Sequence, residues 1–162
     1  MRRFTIILAL FTIAAVSPAT ALGKAKGTDR PSSGKSSSTT TVNLATGTGS
    51  VQGSGQLSHI GRFTFTNDIT SFTLAGDTFS FTLTAVIVAA NGDEIYTTAS
   101  GTGTQTATGS ESTLVSTITG GTGRFADASG TTTTAITSEL VSVDGATLTT
   151  EDTEIHQGRI SY

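Results

Sequence analysis

The chain has 162 residues, a net charge of −3 and no cysteine, and 73 of its residues are threonine, serine or glycine. Threonine favours strands and glycine is costly inside helices, so this composition argues against a helical protein. The lack of cysteine excludes disulfides, zinc–thiolate sites and thiol catalysis. The length is typical of a single domain.

Residues 1–21 have the features of a secretory signal peptide. Met1-Arg2-Arg3 is a positive n-region, Phe4 to Val16 is apolar apart from two threonines, and Ala19-Thr20-Ala21 places small residues where a signal peptidase reads. The apolar run is too short to cross a bilayer core of about 30 Å comfortably. We therefore predict cleavage after Ala21, a secreted or periplasmic location, and no membrane span in the mature chain.

Residues 22–41 contain three lysines, one arginine, one aspartate and almost nothing apolar. A segment of this kind buries too little surface to offset the entropy of ordering it, so we predict a disordered linker. A cationic tether that grips cell-wall polyanions or anionic lipid is the functional alternative.

Charge is distributed unevenly along the chain. From Thr41 to Tyr162 there are three arginines, no lysine and eleven acidic residues, a balance of −8. A nucleic-acid interface needs a basic patch, so we predict no nucleic-acid partner.

Residues 42–162 predict an all-β domain. Apolar and polar residues alternate with a period of two, and Asn91-Gly92-Asp93 and Asp144-Gly145 are typical of tight hairpins. About eight short strands fit a sandwich or a small barrel, and a barrel has no free edges. Threonine rows do not recur at one spacing, which disfavours an ice-binding solenoid. The predicted strands are 42–48, 62–66, 78–88, 94–104, 112–119, 130–143, 147–150 and 155–162.

The segment from Ile118 to Gly130 is unusually rich in glycine. Such clusters mark turns whose backbone conformations are closed to residues with a Cβ. A phosphate-binding loop would be followed by a helix, whereas here a threonine run with strand character follows. We therefore predict a structural turn in which Phe125 covers one end of a barrel. Its residues are Gly120, Gly121, Gly123, Phe125 and Gly130.

This segment resembles the G-G-T-G-x-F-x-x-A-x-G signature of the allene oxide cyclase and dirigent superfamily, most closely in its secreted bacterial barrel-like proteins. Residues 58–63, 89–96 and 157–162 resemble further segments of those proteins, and the resemblance covers roughly residues 50 to 162. It implies a single eight-stranded antiparallel β-barrel. Plant members of the superfamily steer reactive intermediates to one stereochemical product.

Candidate functional residues are few. A cyclase needs a carboxylate near its ligand, and the early strand offers Gln56, Ser58 and His59 but no acidic residue. We assign no catalytic residue and lean against an enzyme. The histidines, His59 and His156, together with Glu94 or Glu154 have metal-ligating groups, but their spacing does not show that they converge, so we predict no metal site and no cofactor.

Four residues are candidates for a ligand pocket: His59, Tyr96, Arg124 and Tyr162. Each has a structural alternative, because a histidine can be hydrogen-bonded at the surface and a tyrosine can lie on a rim with its hydroxyl satisfied. For Arg124 the alternative to a ligand carboxylate is an ion pair with Asp127.

Three function classes follow. The first is a secreted module that binds a small apolar molecule in its barrel. The second is an isomerase, cyclase or dirigent-type protein, and the third is a structural surface protein whose barrel is full. The side chains that would fill it are Phe63, Phe65, Phe79, Phe81, Leu83, Ile118 and Ile136.

Overall fold

A computed structural model describes residues 27–162, and over this range the chain forms a closed barrel of eight strands. Neighbouring strands are antiparallel and follow one another in sequence order, and the first strand pairs with the last. The predicted eight-stranded antiparallel barrel is therefore confirmed, whereas residues 1–21 and 22–26 lie outside the described residues. The strands are β1 (Arg30–Asn43), β2 (Thr48–Leu57), β3 (Gly61–Ala75), β4 (Thr78–Ala89), β5 (Glu94–Gln105), β6 (Gly109–Gly121), β7 (Ser129–Asp144) and β8 (Thr147–Ser161).

The linker prediction is wrong from residue 30 onward, and the barrel begins at residue 30 instead of residue 42. Strand β1 is hydrogen-bonded to β2 on one side and to β8 on the other. Its buried positions include Ser32, Ser36 and Ser38. Ser36 and Ser38 face the polar side chains of Glu154 and Asp152 on β8, so this part of β1 is ordered without an apolar stripe.

Three other strand predictions also need correction. Residues 42–48 do not form one strand, since they contain the end of β1, the turn and the first residue of β2. Strand β2 was not predicted over most of its length, because TGSVQGSGQL has only two large apolar residues. The predicted strands 147–150 and 155–162 are parts of the single strand β8. Missing one strand and dividing another left the count at eight.

Both predicted hairpin turns are confirmed. Residues 90–93 connect β4 to β5, and residues 145–146 connect β7 to β8. At the first turn the Asn91 side-chain amide donates to the Asp93 carboxylate at 2.7 Å. At the second, Gly145 has a φ of 58°, in the left-handed region that glycine adopts without strain.

Three register shifts interrupt the ladders, next to Ile69, Tyr96 and Leu140. Each shift inserts one extra residue into one strand, which bends that strand and increases its twist. A closed barrel needs such bending.

The two ends of the barrel differ. The capped end carries the β2–β3, β4–β5 and β6–β7 connections, and the mouth carries the other four turns. At the capped end a short 3₁₀ helix, Gly123–Phe125, places Phe125 in the interior with no exposed surface, beside the buried side chains of Ile60, Ile95 and Ile160. At the mouth, Phe72 and Phe79 are only half-buried. No helix within residues 27–162 is long and apolar enough to cross a membrane.

Candidate functional site

The barrel encloses a cavity of about 320 Å³ that runs from Ile60, Ile95 and Ile160 near the capped end to the β5–β6 loop at the mouth. Gln105, the last residue of β5, and residues 106–108 of that loop are exposed. Because exposed residues line this end, the cavity opens to solvent at the mouth. Its volume lies within the range of small-molecule sites, about 300–1,000 Å³.

One side of the cavity is aromatic. Strands β3 and β4 direct five phenylalanines inward: Phe63, Phe65, Phe72, Phe79 and Phe81. The rings form two groups of contacts. The centroids of Phe63 and Phe65 are 5.8 Å apart, and in the second group Phe79 lies 5.4 Å from Phe72 and 6.0 Å from Phe81. We call these five residues the aromatic wall. They line the cavity and leave its centre unfilled.

Glycines on neighbouring strands make room for these rings. A Cβ on Gly53 of β2 would overlap both the Phe65 ring and the Ser38 side chain of β1. A Cβ on Gly103 of β5 would likewise overlap the Phe79 ring. The Phe65 ring therefore packs on the backbone of Gly53, close to the Ser38 side chain of β1.

The other side of the cavity is polar and is built from β1, β7 and β8. On β8 every second residue from 150 to 156 points inward. Thr150, Asp152 and Glu154 pair in register with Thr40, Ser38 and Ser36 of β1, whereas His156 pairs with Gly34. We call this set the polar wall. It comprises Ser36, Ser38, Thr40, Thr134, Thr150, Asp152, Glu154 and His156.

Glu154 lies at the centre of the polar wall and is 6% exposed. The Ser38 hydroxyl donates to its Oε1 at 2.8 Å, the Ser36 hydroxyl donates to its Oε2, and His156 Nε2 lies 3.4 Å from Oε2. Burial raises the pKa of Glu154, but the hydrogen bonds from His156, Ser36 and Ser38 and the charge of His156 outweigh burial and lower it overall. The fold thus holds Glu154 as a buried anion.

His156 is contacted through both ring nitrogens. Its Nε2 lies 2.6 Å from the Ser36 hydroxyl and its Nδ1 lies 2.9 Å from the Thr134 hydroxyl. A catalytic serine–histidine–acid arrangement places the acid on the nitrogen opposite the serine. Here Ser36 and Glu154 share Nε2, so this group does not have the geometry of a serine hydrolase.

Asp152 is the second buried carboxylate and is also 6% exposed. Thr150 donates to its Oδ1 at 2.9 Å, while Thr40 and, at 3.4 Å, Ser38 donate to its Oδ2. Within residues 27–162 no basic side chain forms an ion pair with it. Its hydrogen-bond partners within the described residues are therefore all hydroxyl groups.

Asn67 of β3 also lines the cavity. It is 8% exposed, and its Oδ1 has no hydrogen-bond partner. An unsatisfied buried amide oxygen costs about 1–3 kcal/mol. This atom is a buried acceptor without a partner, on a residue that lines the cavity.

The four residues predicted for a ligand pocket do not line this cavity. The His59 carbonyl accepts a hydrogen bond from the Tyr162 hydroxyl at 3.0 Å in the β2–β3 turn. The Tyr162 ring packs edge-on against Phe125, with centroids 4.9 Å apart. Tyr96 is on the outer face and its hydroxyl donates to Glu94 at 2.6 Å, a hydrogen bond that raises the pKa of Tyr96.

Arg124 belongs to the same capped end. Its guanidinium donates to the Ile60 carbonyl at 2.9 Å, lies 4.5 Å from the centroid of the Phe125 ring and forms an ion pair of 3.8 Å with Asp93. Arg124, like His59 and Tyr162, contributes to the closure of the barrel. The structure brings these three residues together, but at the opposite end from the mouth.

The glycine-rich turn forms the corner between β6 and β7. Gly120, Gly123 and Gly130 have φ values of 141°, 52° and 144°, whereas Gly121 is not among the glycines with positive φ. Gly121 is required for a different reason, since a Cβ there would overlap the Glu94 carbonyl oxygen. Phe125 is fully buried below this corner.

The metal-ligating residue types do not converge. His59 is in the β2–β3 turn, while His156 is beside Glu154 in the interior. Within the described part of the chain no group of three or more His, Cys, Asp or Glu is arranged to hold a metal ion.

Sequence reasoning missed the residues that form the polar wall. The available signal was the strict alternation of inward residues Thr150, Asp152, Glu154 and His156 along β8. Because the outward residues of this strand are also mostly polar, polarity alone does not distinguish the two faces. Hydrophobic patterning assigns Ile155 to the interior, yet Ile155 is 46% exposed and points outward.

Comparisons with protein-family models, with curated proteins and with solved structures found no match.

Proposed function

We propose that this protein is an exported binding module whose barrel takes up a small, largely apolar molecule through the mouth. The observation that carries the proposal is the 320 Å³ cavity between the aromatic wall and the polar wall. An apolar cavity with a few placed polar groups is the usual form of a small-molecule site. The apolar body of the ligand packs on the rings, and the polar wall orients it.

Export rests on residues 1–21, which have the pattern of a signal peptide. A secreted or periplasmic location follows from that pattern. Intact-mass measurement of the exported protein tests it, with a chain beginning at Leu22 as the expected result. A mature species that retains Met1 would contradict export by this route.

A pair of variants on one strand tests binding. Ala85 is buried and lines the cavity, whereas its neighbour Thr84 is exposed on the outer face. Ala85→Phe fills the cavity and should weaken binding of the fluorescent probe N-phenyl-1-naphthylamine by about tenfold or more, since a filled site excludes the probe. Thr84→Phe adds the same ring outside and should leave the affinity unchanged. Equal affinities in the two variants would place the probe on the outer surface and refute the proposal.

An isomerase or cyclase is the second candidate, and the observation that favours it is the contact of Ser36 with Glu154 and His156, two residues that line the cavity. It ranks second because the lowered pKa of Glu154 makes this carboxylate a weak base, whereas general bases work best with a pKa near the operating pH. Incubation of a small-molecule extract from the host with wild type and with Glu154→Gln tests it. A compound consumed by wild type alone would support an enzyme.

We also propose membership of the allene oxide cyclase and dirigent superfamily. The closed eight-stranded barrel is the architecture that the resemblance implies, and the G-G-T-G-x-F segment forms a corner of it. A structural protein with a filled barrel is the remaining alternative, and the open cavity weighs against it.

A further inference from the structure

We propose that the ligand carries an ammonium group, which binds at the polar wall between Asp152 and Asn67 while its apolar body lies on the aromatic wall. This inference rests on the proposed binding function and adds the chemical class of the ligand. It rests on the excess of hydrogen-bond acceptors over donors in the polar wall, on the negative charge of that wall, and on the positions of Asn67 and Asp152 in the barrel.

The polar wall has more acceptors than donors. Each ionised carboxylate has about four acceptor positions. The single proton of Ser38 is shared, since its Oγ lies 2.8 Å from Glu154 Oε1 and 3.4 Å from Asp152 Oδ2. Thr150 is the one protein donor on Asp152 Oδ1. Asn67 adds an acceptor that has no partner, so a ligand group suited to this wall must donate hydrogen bonds.

Charge favours a cationic donor over a neutral one. The polar wall contains the carboxylates of Asp152 and Glu154, and His156 is its one group able to carry positive charge. The basic residue along the cavity, Arg159, is turned outward and pairs with Asp29 at 2.7 Å. A buried carboxylate without a cation is costly, and an ammonium supplies both three donors and the missing charge.

The ladder places Asn67 and Thr40, a hydrogen-bond partner of Asp152, in one row of cross-strand partners. Asn67 pairs with Val51, Val51 with Thr40, and Thr40 with Thr150. Asn67 thus belongs to the same row as Thr40, whose hydroxyl donates to Asp152. The rings of the aromatic wall line the same cavity as these residues, and aromatic faces attract cations. The same carboxylates repel an anionic head group.

Three probes with one alkyl chain and different head groups test the inference by titration calorimetry at neutral pH and low salt. They are n-octylammonium, n-octanol and n-octanoate. We expect octylammonium to bind about tenfold more tightly than octanol, as one charge-assisted hydrogen bond contributes, and octanoate to bind most weakly. Ala85→Phe should abolish binding of all three, which confirms that the probes occupy the cavity.

Two variants assign the effect to residues. Asp152→Asn removes the charge and should reduce octylammonium affinity about tenfold while changing octanol affinity less than about twofold. Glu151→Gln, on the exposed face of the same strand, is the matched control and should leave both unchanged. If Asp152→Asn does not fold, Asn67→Leu should lower octylammonium affinity about threefold or more by removing the unpaired acceptor.

The outcomes separate the two proposals. Octanol or octanoate binding as tightly as octylammonium would overturn the ammonium inference and leave the binding function intact. Failure of all three probes to bind would overturn the binding function itself.

Discussion

Ser36 and Glu154 are cross-strand partners 118 positions apart in the sequence, and the Ser36 hydroxyl donates to the Glu154 carboxylate inside the barrel. This contact lies on the seam where the first strand meets the last. The seam that closes the barrel is therefore also the centre of the polar wall. Barrel closure and the chemistry of the cavity depend on the same side chains.

We expect the stability of the fold in acid to depend on Glu154. Its pKa in the folded protein is lowered from its ordinary value of 4.5, because hydrogen bonds from His156, Ser36 and Ser38 and the charge of His156 outweigh burial. A group with a lowered folded pKa contributes stability that is fully present above its unfolded pKa and is lost as the pH falls through the folded pKa. Glu154→Gln should remove this contribution, and at neutral pH it should cost about 1–3 kcal/mol through an imperfectly paired buried amide.

Urea denaturation at a series of pH values from about 7 to about 3 measures this effect. Glu151→Gln is the control, since Glu151 is exposed and accepts a hydrogen bond of 3.0 Å from Thr39 on the outer face. The control should retain the acid dependence of wild type. Parallel curves for wild type and Glu154→Gln would show that Glu154 does not titrate differently on folding.

Removal of β1 should destroy the barrel. A chain that begins at Val42 lacks nearly all of β1, so β2 and β8 each lose their partner on one side. The carboxylates of Asp152 and Glu154 also lose the hydroxyls of Thr40, Ser36 and Ser38. Circular dichroism should show no cooperative thermal transition for this chain, in contrast to a control chain that begins at Leu22. A transition at the same midpoint in both chains would mean that β1 is not part of the folded domain.

The corner between β6 and β7 should not tolerate a side chain at Gly121. Because a Cβ there would overlap the Glu94 carbonyl oxygen, Gly121→Val must displace the backbone of β5 or β6. We expect a loss of about 1–3 kcal/mol or more in the free energy of unfolding. Thr117→Ala, an exposed change on the same strand, should stay within about 0.5 kcal/mol. Urea denaturation compares them, and equal midpoints would show that this corner is not conformationally restricted.

The fold class could be predicted because apolar and polar residues alternate along strands β3 to β6. Alternation of Phe79, Phe81, Leu83 and Ala85 with exposed threonines is the pattern of a half-buried strand, and the structure has these four residues on the inner face. The Asn91-Gly92-Asp93 turn was predictable for a similarly local reason, since hairpin chemistry depends on a few adjacent residues.

The polar wall could not be predicted by the same rule. Hydrophobic patterning assumes an apolar interior, whereas β1 and β8 direct Ser36, Ser38, Asp152 and Glu154 inward. These residues are stable inside only because the register pairs each with a complementary partner on the adjacent strand. Pairing between segments more than a hundred residues apart arises when the barrel closes. The local sequence of β1 or β8 does not show which residues will become partners.

The central claim is that a small apolar molecule occupies the barrel interior, and methyl NMR of the protein during titration with n-octanol tests it most directly. Interior methyl groups of Leu83, Leu114 and Ile118 line the cavity, whereas those of Val115, Val143 and Ile155 are exposed on the outside. We expect saturable shifts of the interior methyl signals, with intermolecular nuclear Overhauser effects to the octyl chain, and unchanged exterior signals. Shifts confined to the exterior methyls, or no shifts at all, would contradict it.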